Sequence, residues 1–183
     1  MDTASASLKK TVSLAVISML IHQYNKQGFK PGTTHIQKAV FLLRELWHVP
    51  FSQEFCLYHY GPYSFELADD LDDLEATSVI SRETKEHGTY HIALTEEGRQ
   101  FLVEMRAEIE PYRGVLSSAV DALNGLPADD LVLLATTQYV LSTGEDNLDT
   151  VVDKVLKIKP KYSPDDVISA QHRLDAIYSD LQR

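Results

Sequence analysis

Residues 79–102, VISRETKEHGTYHIALTEEGRQFL, constrain the fold of this chain more than any other stretch. Two short runs, 79–82 and 90–94, flank a polar tip whose Gly88 can take the positive φ that a hairpin turn asks for. Tyr90, Ile92 and Leu94 alternate, which predicts one buried face. Thr95 then offers a side-chain oxygen to the first free amides of a helix carrying Phe101, Leu102, Met105 and Ile109 on one stripe. A hairpin that hands directly to a helix is wing geometry, so the pattern predicts a winged helix-turn-helix core with a two-stranded wing.

The residues before the wing supply the helices such a core needs. Leu8, Val12, Ala15, Val16, Met19 and Leu20 recur at helical spacing until Gly28, with Pro31 and Gly32 beyond. Thr34 with Gln37 three residues later has the form of a capping box, and Ile36, Ala39, Val40, Leu43 and Trp47 make a second stripe that Pro50 closes. Residues 55–60 read as a strand or extended segment before the Gly61-Pro62 turn, near which the third helix starts. Leu67, Leu71 and Leu74 give that helix its apolar stripe, with its carboxylates on the solvated side. In a winged helix this third helix reads the DNA groove, yet residues 63–81 hold Glu66, Asp69, Asp70, Asp72, Asp73 and Glu75, with no lysine or arginine up to Ser81. That is the wrong charge for a phosphate backbone.

Downstream the pattern is helical throughout. Pro111 predicts a kink or restart after Ile109, and Val115, Leu116, Ala119 and Leu123 continue a stripe to Gly125. Pro127 at a first helical position opens the next helix, Leu148, Val151, Val152 and Val155 build another, and Ser163-Pro164-Asp165-Asp166 starts the last. The expected fold class is mainly α (α+β): a winged-helix domain over 1–105 followed by a C-terminal helical bundle over 106–183, packed on it or on a second subunit.

Catalytic signals are sparse. There is no phosphate-binding glycine loop, no His-Glu-x-x-His and no cysteine pair; with one cysteine, Cys56, no internal disulfide can form. His87 and His91 fall on a hairpin, where a four-residue spacing makes no common ligand face. Cys56 and His59 point to different sides of an extended segment, so Cys56 reads as buried packing. No metal and no cofactor is expected. A net charge of -10 disfavours indiscriminate nucleic-acid or anionic-membrane binding, and no apolar run is long enough to span a bilayer, which predicts a cytoplasmic protein.

Phe55-Cys56-Leu57-Tyr58-His59-Tyr60-Gly61-Pro62-Tyr63-Ser64 resembles the YGPYS loop of the YwgA-like proteins, a largely uncharacterised prokaryotic group. The likeness extends to the helix of residues 36–47 and to Ile158-Lys159-Pro160-Lys161-Tyr162-Ser163 before the final helix. A weaker likeness runs to Panacea-type antitoxin domains, which also carry Tyr-Gly-Pro after a similar helix. The resemblance implies a fold more than a function and carries no catalytic residues over.

Tyr58, Tyr60 and Tyr63 around a rigid Gly-Pro turn combine apolar area with hydroxyls, as binding hot spots do, although a tyrosine-packed core junction has the same composition. Together with Glu66, Asp69, Asp70 and Asp73 they form the expected partner-binding surface, suited to steering a basic partner. The expectation is a non-catalytic regulatory, adaptor or antitoxin-like module that binds a protein. The alternative is a transcriptional regulator that binds DNA as a homodimer through Lys30, Lys38, Arg82 and Lys85, and an enzyme of unknown type comes third. The lysines at 154, 157, 159 and 161 form a second basic cluster that could touch phosphate.

Overall fold

The computed structural model describes residues 3–84, 90–145 and 147–182. The described residues form eight helices and two antiparallel strand pairs in the order α1 (Thr3–Lys26), α2 (Thr33–Leu46), β1 (Cys56–Tyr58), β2 (Gly61–Tyr63), α3 (Phe65–Ala76), β3 (Ile80–Thr84), β4 (Tyr90–Leu94), α4 (Glu96–Glu104), α5 (Arg106–Leu123), α6 (Ala128–Ser142), α7 (Leu148–Ile158) and α8 (Pro164–Leu181). The chain is mainly helical with two small sheets. Gly88 and Lys85, singled out for the turn and for nucleic-acid contact, lie outside the described residues, as does His87.

One hydrophobic cluster runs from α1 to α8. α1 packs on α5, α2 on α6, and α6, α7 and α8 on one another. β3 and β4 pair in the register Ile80↔Leu94 through Thr84↔Tyr90. Ile80, Ile92 and Leu94 are buried, while Tyr90, at the far end of its strand, is 47% exposed. The alternation therefore holds only where the core reaches. β4 is also tied on its other side: its Ile92 N–H donates to Pro31 O at 2.8 Å, and its Leu94 N–H donates to Asn25 Oδ1 at 2.8 Å. Thr95 caps α4 by accepting from Gly98 N–H at 2.9 Å.

Local signals misplace some boundaries. α2 starts one residue before Thr34, after Gly32, with no side-chain cap, and Gln37 bonds elsewhere. The interruption expected after Ile109 falls at Met105, and Pro111 lies inside α5. Pro111 is tolerated there because it stands in the second turn of α5, where the bond its nitrogen cannot donate is the one to Ala107 O, near the helix start. Pro127 stands at the N-cap of α6, just before the helix. Ser163 and Asp166 make the reciprocal capping box of α8. Among the described residues no helix is long and apolar enough to cross a membrane.

Candidate functional site

The tyrosine-rich segment folds as a hairpin of its own. β1 and β2 pair in the register Cys56↔Tyr63, Leu57↔Pro62 and Tyr58↔Gly61, with His59 and Tyr60 at the turn. Gly61 has φ +80, and a Cβ there would meet Thr136 Oγ1 at 2.5 Å and Val132 O at 3.5 Å. Only glycine both takes that backbone and lets the turn lie on α6.

Three side chains distant in sequence hold the backbone of the hairpin and of Ser64 just after it. Gln37, buried on α2, donates from Nε2 to Ser64 O at 2.8 Å and accepts from Ser64 N–H at 2.9 Å. Lys38, next in sequence and equally buried, donates from Nζ to Pro62 O at 2.7 Å. Lys159, just past α7, donates to His59 O and lies 5.9 Å from the centre of the Tyr60 ring. Burial and, secondarily, the charge of Lys159 push the Lys38 ammonium down to about 8, and burial also holds Lys159 below the ordinary lysine range. Ser64 in turn caps α3, accepting from Leu67 N–H at 3.2 Å. Pro62 thus belongs to β2, and the helix it was expected to launch begins three residues later.

This clamp presents aromatic side chains outward. Tyr58, Tyr60 and Phe65 are 47%, 69% and 57% exposed. The rings of Tyr58, Tyr63 and Phe65 form a triangle, with centroids 5.6 Å (Tyr58–Tyr63), 5.5 Å (Tyr58–Phe65) and 5.1 Å (Tyr63–Phe65) apart. Tyr60 stands apart over Lys159. The Tyr63 hydroxyl is pushed up by partial burial and then by Tyr58, Asp69 and Asp72, so the aromatic triangle adjoins the acidic face of α3.

The acidic set divides. Asp70 is buried, accepts from Gln53 Nε2 at 2.6 Å and lies 3.6 Å from Lys10 Nζ, which removes it from the expected partner surface. Asp73 pairs with Lys10 at 2.8 Å, and Glu66 accepts from Glu54 N–H at 2.8 Å. Asp69 is exposed.

Of the expected nucleic-acid set, the three described residues, Lys30, Lys38 and Arg82, do not form a free basic surface. Lys38 is inside the protein, because α2 is covered on nearly every side and a side chain off its apolar stripe still meets protein. Lys30 pairs with Glu83 at 3.0 Å. Arg82 pairs with Asp72 at 2.7 Å and with Glu75 at 3.2 Å. Of the second basic cluster, Lys154 pairs with Glu145 at 2.7 Å and Lys161 with Asp129 at 2.8 Å. Cys56, expected to be buried, is exposed, since all three β1 residues face solvent. Among the described residues no three His, Cys, Asp or Glu side chains could hold a metal ion.

Phe65 and the clamp of Gln37, Lys38 and Lys159 escape a reading of the sequence alone. A weak signal exists for Phe65: it is a large apolar residue immediately after a Ser cap and off the Leu67, Leu71, Leu74 stripe. The clamp has none, since its partners lie 24 to 100 residues away.

No protein-family model matches the chain. Over 123 residues it is 24% identical to the uncharacterised protein YwgA of Bacillus subtilis (strain 168), an alignment that covers 66% of this chain and 71% of that protein. The chain is YwgA-like over that stretch.

Proposed function

We propose that this chain is a non-catalytic winged-helix module that binds a protein partner through Tyr58, Tyr63, Phe65 and the adjoining face of α3. The observation that carries the reading is the exposed aromatic triangle on a hairpin whose backbone is fixed by Gln37, Lys38 and Lys159. Aromatic rings on a rigid support lose little conformational entropy on binding and remove much apolar area from water. The order of α1, α2 and α3 followed by the β3–β4 pair supports a winged-helix core, with β3–β4 as the wing and α3 at the place of the reading helix. α3 carries carboxylates where a DNA reader carries cations, and Lys30 and Arg82 are already occupied by acids of this chain. A regulatory, adaptor or antitoxin-like role fits a module of this kind, in keeping with the likeness to Panacea-type domains.

The test is capture of the partner by the tagged full chain, its identification, and titration against variants. Tyr58→Ala and Phe65→Ala should each weaken binding by about 1 to 3 kcal/mol. Val103→Ala, at a 73% exposed position on α4, should not. Undiminished binding by both aromatic variants rules this face out.

A further inference from the structure

We propose that Tyr58, Tyr63, Phe65 and Asp69 form a seat for a positively charged side chain, an arginine or lysine carried by a basic segment of the partner protein. The inference rests on the docking-face reading above and supplies its chemistry. The three rings pack at inclined angles of 41°, 67° and 75°, Tyr58 also meets the His59 ring at 4.4 Å, and Tyr58 and Phe65 both remain exposed, Phe65 the more so. An aromatic face is the negative side of the ring quadrupole, and a guanidinium or ammonium laid on it is attracted.

The carboxylates of α3 show where such a cation would be met. Lys10 pairs with Asp70 and Asp73, Arg82 pairs with Asp72 and Glu75, and Glu66 accepts a backbone N–H from Glu54. Among the described residues Asp69 accepts neither an ion pair nor a hydrogen bond, and it is one of the two carboxylates whose charge reaches the Tyr63 hydroxyl. Asp69 lies four residues after Phe65 on α3, one turn along the same face, so among the described residues it is the unpaired carboxylate of α3 that a partner's cation at the rings can use.

The chain builds the same unit internally a short distance along. The Arg44 guanidinium lies 5.8 Å from the centre of the Phe55 ring, with Glu45 at 3.4 Å and Glu54 at 3.9 Å. Ring and acid are present again at Phe65 and Asp69, but no lysine or arginine among the described residues lies over the Phe65 ring, while the Tyr58 ring is met by the His59 ring at 4.4 Å. A net charge of -10 adds long-range attraction for a basic segment.

The experiment uses the full chain and a blocked Gly-Arg-Gly-Arg-Gly peptide, with the same peptide carrying citrulline for arginine as the uncharged twin. NMR follows the ring signals of Tyr58, Tyr63 and Phe65 at low salt. The arginine peptide should shift them saturably and the citrulline peptide should not. Asp69→Asn and Phe65→Ala should each weaken the arginine peptide roughly two- to five-fold, while Glu104→Gln on α4 leaves it unchanged. Equal response to citrulline, shifts confined to other residues, or full binding by Asp69→Asn overturns the seat. A captured partner that needs Phe65 but ignores both Asp69→Asn and salt keeps the docking face and overturns its cation chemistry. A partner indifferent to both Tyr58→Ala and Phe65→Ala overturns the docking face itself.

Discussion

Burying an ammonium is costly unless its donors are met and its charge is answered, and Lys38, 1% exposed, meets the Pro62 carbonyl and, among the described residues, no carboxylate. Its folded-state pKa falls from 10.5 to about 8, so the unfolded chain binds that proton more tightly. Below pH 8 both states are protonated and the full penalty stands; as pH rises from about 8 towards 10 the folded state sheds its proton first and gains stability. Lys159, also held below its ordinary value, adds in the same direction. Tyr24, pushed up by burial, opposes the trend as pH passes 10.0 and closes the window. Urea unfolding between pH 7 and pH 10 should therefore show a gain of about 2 to 3 kcal/mol. Lys38→Met should remove most of it. A flat profile, or an undiminished gain in Lys38→Met, refutes this account of the clamp. The sequence offers no local mark of this role. A lysine on a helix with one apolar stripe reads as solvated, and only the packing of other elements around α2 puts it inside.

At the level of elements, the legible parts are those whose period is long enough to repeat. The helices announce themselves through stripes and caps, Thr95 and Ser163 above all, because both signals are local and satisfied within three residues. β4 is legible for the same reason, since its five alternating residues distinguish a face, whereas β3 has one buried residue at its start and runs from Ile80 to Thr84 rather than over 79–82. β1 and β2, three residues each, carry no period, so the hairpin that holds the candidate site reads only as an extended segment and a turn. Gln37 shows the opposite failure. Its spacing from Thr34 matches a capping box, but its amide is the better partner for Ser64, whose buried N–H and C=O have no strand to pair with. The β3–β4 sheet, whose β4 packs on α1, offers a direct check on burial. Ile92 is 0% exposed, with its backbone tied to Pro31 and Asn25, so that strand has little freedom to turn a new side chain outward. Ile92→Asp should lower stability by about 2 to 4 kcal/mol in denaturant unfolding, through a carboxylate left in apolar contact. A loss under about 1 kcal/mol would show that the strand twists free and that its register is not held by the core.

Across the whole molecule, charge decides which macromolecule the surface favours. The excess of acid is legible from composition, but its arrangement is not: Lys10 and Arg82 are spent on Asp70, Asp72, Asp73 and Glu75, and among the described residues Asp69 keeps no ion pair. Duplex DNA is held largely by releasing counterions to lysine and arginine, and every exposed carboxylate near the phosphates opposes that release. Two residues on α3 allow the effect to be read without breaking the fold. Asp69→Asn removes an exposed charge that has no partner among the described residues. Asp72→Asn removes another and loosens Arg82, which keeps Glu75 at 3.2 Å. Asp70 is unsuitable because its carboxylate holds Gln53 at 2.6 Å inside the protein. The unmodified chain should show no measurable affinity for mixed-sequence duplex at about 0.15 M salt, and the double variant should bind more tightly than the unmodified chain once salt is lowered. Fluorescence anisotropy with a labelled duplex reads both. If the unmodified chain instead binds one duplex sequence at physiological salt and the double variant loses it, those carboxylates are making base contacts, as acids do with the cytosine amino group. In that event α3 is a groove reader, and the DNA-binding regulator replaces the protein-binding module.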